Sequence, residues 1–182
     1  IEIHFDVAGL RVPDAVVRLF HKRPDKTKLE PVRGFVIVPK GALLTGDPFA
    51  RLGEGFTATL LGTATVAGRP AYHLRLVPRN GEATAAEVWI DRERWTVVKL
   101  RHHSPNGDPV TLEITYQRQQ GKYWLPSRTV ARLRLPAPPP APAARGSGPP
   151  PAPRAGSVTA TFRRYRINTG LPDSLFVEKP AP

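Results

Sequence analysis

From Val110 to Gln117 apolar and polar side chains alternate without a break. Val110, Leu112, Ile114 and Tyr116 fall on one side; Thr111, Glu113, Thr115 and Gln117 fall on the other. The same period of two runs through Ile1, Ile3, Phe5 and Val7, through Tyr72, Leu74 and Leu76, through Ala131, Leu133 and Leu135, and through Val158, Ala160 and Phe162. Successive strand residues point to opposite faces, so this pattern predicts half-buried antiparallel strands. Turn chemistry separates them at Ala8-Gly9 with Pro13, Val66 to Pro70, Arg79-Asn80-Gly81, Pro105 to Asp108 and Gln120-Gly121-Lys122. Roughly ten or eleven strands are expected, at the spacing of a sandwich or barrel. After Phe162 the phase slips, and a bulge near Arg163-Arg164 is expected to bring Tyr165 and Ile167 back to the same face.

Helix is scarce. The best candidate is GDPFARLG, residues 46 to 53, where Asp47 can cap, Pro48 suits the first helical position and Gly53 can terminate. Gly41 to Leu44 is a second short candidate. The run from Leu135 to Ser157 is dominated by proline, alanine and glycine and cannot bury enough apolar area to offset its ordering entropy. Strand-like text resumes directly after it. The expectation is therefore one domain, 1–182, with a flexible Pro/Ala/Gly-rich insertion at about 136–156 between two strands.

A sheet with one apolar face must bury that face. Two sheets stacked as a sandwich would do so; so would one long sheet curled into a barrel or half-barrel around an apolar interior. The inward-facing candidates are Phe5, Leu60, Tyr72, Leu74, Leu76, Ile90, Val98, Leu100, Leu112, Ile114, Tyr116 and Phe162. They are read either as a filled core or as the lining of a cavity for an apolar ligand. Trp89, Trp95 and Trp124 suit a cavity mouth or a membrane interface, or ordinary cross-strand packing.

Composition narrows the chemistry. With 182 residues and 40% apolar content a core is within reach, while no window approaches the roughly 18 apolar residues of a membrane span. Cysteine is absent, which excludes disulfides, thiolate metal sites and a cysteine nucleophile. The net charge of +12 favours anionic partners such as acidic headgroups, though arginines on the solvent side of many strands account for it as well. His102 and His103 are neighbours on one strand and point to opposite faces, so no metal is expected. No G-x-S-x-G elbow, P-loop or H-E-x-x-H occurs, and Asp91 and Glu93 read as turn residues, so neither an enzyme nor a cofactor is expected. The aromatic-plus-basic platform of single-strand binders is missing, and no nucleic-acid partner is expected.

Four segments taken together resemble the LolA/LolB-like family of periplasmic lipoprotein carriers. They are RLFHKRPDKTKLE (18–30), FTATLLGTATVAGRPAYHLRLVP (56–78), EVWIDRERWTVVKLRHHSPNGDPVTLEITY (87–116) and YRINTGLPDSLFVEKP (165–180). The resemblance implies a strongly curved antiparallel sheet, an incomplete (half) barrel, with one or two short lid helices. It also implies a periplasmic, monomeric, non-enzymatic carrier. Its partners would be lipoprotein or lipid acyl chains, an inner-membrane donor, an outer-membrane acceptor and an anionic membrane surface. The same scaffold serves envelope sensors that bind a membrane protein, and a polyanion-binding β-protein is a further reading. The family's N-terminal amphipathic helix is not visible before Ile1, and the chain reads as a mature or trimmed fragment whose export signal lay upstream.

Overall fold

The computed structural model describes residues 1–7, 11–23, 26–34, 55–79, 85–103, 108–135 and 154–177. The candidate helices at 41–44 and 46–53 and most of the Pro-rich run lie outside the described residues. Ten strands are described: β1 Glu2–Val7, β2 Ala15–Lys22, β3 Lys26–Arg33, β4 Phe56–Val66, β5 Arg69–Pro78, β6 Ala86–Asp91, β7 Val97–His103, β8 Pro109–Gln119, β9 Tyr123–Leu135 and β10 Arg154–Thr161. They form one antiparallel sheet in the order β3-β2-β1-β10-β9-β8-β7-β6-β5-β4. β3 and β4 end the sheet without pairing to each other, so the curved sheet stays an open half-barrel. Among the described residues there is no two-sheet sandwich.

Residue chemistry explains the local elements. The β4–β5 hairpin turns through Ala67 (φ 49°) and Gly68 (φ 76°), the doubly left-handed geometry that matches strand twist. Gln120 and Gly121 repeat it between β8 and β9, closed by the Lys122 N–H donating to the Gln119 carbonyl at 3.0 Å. Register shifts at Val16/Val17, Leu60/Gly62, Trp89/Ile90 and Thr115/Tyr116 place an irregularity in each half of the sheet. Bulges of this kind bend strands and sharpen twist, which is how a single sheet curls.

Alternation and pairing put all four short turns, β2–β3, β4–β5, β6–β7 and β8–β9, at one end of the sheet. The remaining connections join strands at the other end. Two apolar clusters share one face. The first gathers Ile3, Ala15, Val17, Ala160 and Phe162; the second gathers Leu76, Val88, Val97, Leu112, Ile114 and Ala131; Val158 packs against both.

The expected bulge near Arg163-Arg164 is not what returns Tyr165 inward. β10 stops at Thr161, and Arg164 takes a left-handed conformation (φ 58°) that redirects the chain. Tyr165 then packs on the first cluster and its hydroxyl donates to the Pro126 carbonyl at 2.5 Å. The segment continues to a short 3₁₀ turn, Asp173–Phe176, moored to the β2–β3 hairpin. There Lys22 Nζ donates to the Leu171 carbonyl (3.0 Å) and pairs with Asp173 (2.6 Å), which Lys26 also reaches.

Candidate apolar site and its rim

Pairing register defines the site. Directly opposed residues of antiparallel strands share a face, so Leu60, Leu74, Val88, Leu100, Leu112, Ala131, Val158 and Phe5 form one continuous row across eight strands, β4 to β1. A parallel row through Tyr72, Ile90 and Val97 flanks it. On β8, Ile114 and Tyr116 extend the same face. Ten of the twelve inward candidates therefore sit on one apolar face and are buried or half-buried: Phe5, Tyr72, Leu74, Leu76, Ile90, Leu100, Leu112, Ile114, Tyr116 and Phe162. No second sheet covers this face among the described residues.

Two candidates need correction. Val98 does not take the inward place. It is the extra residue opposite the Trp89–Ile90 step, and Val97, 4% exposed, enters the cluster instead. Leu60 lies on the apolar face by register, yet it is 59% exposed, because β4 is the last strand and no described neighbour shields it.

Few polar groups interrupt the face. The Tyr116 hydroxyl donates to the Val97 carbonyl at 2.8 Å, tying β8 to the start of β7. Burial pushes the Tyr165 phenol above its ordinary range. Thr129, 3% exposed, has a hydroxyl without a hydrogen-bond partner among the described residues. Such a surface offers shape and dispersion.

The opposite face is polar and cross-linked. Trp89, 7% exposed, stacks on His73 with ring centroids 4.3 Å apart, and Lys99 Nζ lies 4.8 Å from the Trp89 ring centroid. Glu87 accepts two hydrogen bonds from Arg101 at 2.8 Å and shares one with His73, and Arg101 above all holds its carboxyl below the usual range. Trp89 is thus cross-strand packing. A depression of about 520 Å³, lined by Asp6, Thr111, Arg132 and Ser157 among others, also lies on this side and is open to solvent. Among the described residues no three His, Asp or Glu side chains converge to hold a metal ion.

The short-turn end of the apolar face carries a rim. Asp91, 1% exposed, organises it: its carboxylate accepts from Arg69 Nε (2.6 Å) and from the backbone N–H groups of Glu93 and Arg94 (2.9 Å each). Arg69 foremost, helped by those N–H groups, holds the Asp91 carboxyl at about 2. Arg69 Nη2 donates to Glu93 at 2.6 Å as well. The turn so fixed presents Trp95 against Tyr72, with ring centroids 5.8 Å apart. The sequence marked Asp91 and Glu93 as turn residues; their service to Arg69 needed the β5–β6 register to be seen.

The family model of the MucB/RseB N-terminal domain matches residues 17–117, more than half of the chain. No curated protein matches at the sequence level. Among solved structures, the chain is similar to an outer membrane lipoprotein-sorting protein domain from Vibrio parahaemolyticus, at 15% identity and TM-score 0.58, over 96% of this chain and 87% of that one. It is similar to a LolA superfamily protein from Nitrosomonas europaea, at 13% identity and TM-score 0.59, over 97% and 87%. A DUF1329 family protein from Desulfovibrio piger follows at 13% identity and TM-score 0.50, over 96% and 69%. The half-barrel is the fold these structures share.

Proposed function

Because the chain belongs to the MucB/RseB N-terminal domain family and has a LolA-like fold, we propose that it is a non-enzymatic periplasmic binding protein whose apolar face takes up the acyl chains of a lipoprotein or another lipid for transfer toward the outer membrane. The observation that carries this reading is the register-aligned apolar row from Leu60 to Phe5 on a sheet whose edge strands stay apart. A sheet this long with one greasy side and no second layer among the described residues suits a guest. Each acyl methylene removed from water contributes about 0.8 kcal/mol, so two or three chains supply ample affinity without any chemistry.

The test is direct. Purified protein is extracted with organic solvent and weighed by native mass spectrometry, then titrated with a fluorescent fatty-acyl probe. Bound acyl lipid and saturable, competable probe binding are expected. Protein that arrives clean and ignores the probe overturns the reading.

The family match favours a second use of the same face or its edges, as an envelope regulator that binds a membrane protein partner. That reading expects co-purification with an inner-membrane protein and little lipid transfer between donor and acceptor vesicles.

A further inference from the structure

The β6–β7 turn holds a bulky ring where bulky rings are disfavoured. Trp95 is 71% exposed and sits at φ 53°, a left-handed conformation that large side chains avoid. The turn is firmly built around the buried Asp91 carboxylate, and the Trp95 N–H donates to the Asp91 carbonyl at 3.0 Å. An exposed, strained residue on a rigid support is a feature to explain by use.

Its neighbours are cations on rings. The Arg92 guanidinium lies 5.2 Å over Tyr72, Arg94 lies 3.9 Å over Trp124, and Lys122 lies 5.4 Å over Tyr123. Arg118 is paired in register with Trp124. The carboxylates of the turn, Asp91 and Glu93, are both engaged by Arg69. Among the described residues no carboxylate pairs with Arg92, Arg94, Arg118 or Lys122.

We propose that this rim docks on the surface of an anionic phospholipid bilayer, with Trp95 at headgroup depth. Amphipathic rings settle at that level, and the negative surface potential draws the uncompensated cations. A polynucleotide is disfavoured, because Arg92 over Tyr72 and Arg94 over Trp124 each occupy a ring face on which a base would stack. The rim belongs to the mouth of the apolar face, since Tyr72 lies on both.

Flotation with vesicles of phosphatidylglycerol and phosphatidylcholine, against phosphatidylcholine alone, tests it at low salt. The protein should float with the anionic vesicles, with a blue shift of tryptophan emission. Trp95→Asn suits the left-handed backbone, so it should keep the fold while losing the blue shift and weakening flotation. Arg92→Ser and Arg94→Ser should each weaken binding roughly fivefold. All three variants should keep the wild-type melting temperature and acyl-probe binding, which separates failure of the rim from failure of the acyl site. Wild-type protein that ignores anionic vesicles, folded variants that float as well as wild type, or retention on heparin without any vesicle binding would each overturn the proposal.

Discussion

Replacing Asp91 by asparagine removes one charge from a site that is 1% exposed, with a guanidinium at 2.6 Å. Asparagine keeps an acceptor for the turn but leaves Arg69 without its closest counter-charge. The magnitude follows from the carboxyl itself. Its ordinary value of 3.8 is lowered to about 2 in the folded protein. At about 1.4 kcal/mol per pH unit that difference is worth about 2 to 3 kcal/mol of stability at neutral pH. The sign follows from the direction: a lowered folded-state value stabilises above pH 3.8, and the contribution is lost as pH falls through about 2. Urea unfolding of wild type and Asp91→Asn, followed by tryptophan fluorescence at pH 7, 5, 3.5 and 2, reads the difference free of other carboxylates. The variant should be weaker by about 2 to 3 kcal/mol at pH 7, and the gap should close to within about 0.5 kcal/mol at the acid end. A gap that stays constant with pH, or none at pH 7, refutes the view of Asp91 as the charged keystone of this turn.

The apolar row should be uneven in stability. Leu112→Ala, at a site 4% exposed in the second cluster, should cost about 2 to 5 kcal/mol by chemical denaturation, whereas Leu60→Ala at the exposed edge should stay within about 0.5 kcal/mol. Thr129→Val removes a buried hydroxyl without a partner among the described residues and should stabilise by about 1 kcal/mol. A melting temperature that falls instead would show that the hydroxyl is satisfied.

The fold was legible because strand alternation is a local signal. One face of β8, β5, β1 and β10 could be assigned from period two alone, and the observed pairing keeps those assignments together. What failed was non-local. Counting back by twos from Leu100 selects Val98, and nothing in VVKL announces the bulge that puts Val97 inward. Leu60 has the right neighbours in sequence, but its burial depends on a strand beyond β4 that the sheet does not supply. Tyr165 reaches its predicted face by a different route, because a left-handed arginine redirects the chain as well as a bulge would.

The rim was the least legible part, for the same reason. Its members run from Arg69 to Trp124, and no window of the sequence contains them. They meet because an all-antiparallel sheet in this order must send every second connection to the same end, and the β4–β5, β6–β7 and β8–β9 turns all fall there. Short, well-made turns can carry an exposed tryptophan in a strained conformation, since Asp91 and Arg69 hold the backbone whatever the ring does. The stability of that turn and the reach of the rim are therefore coupled. Loosening Asp91 should weaken vesicle docking together with folding at pH 7, whereas Trp95→Asn should weaken docking alone.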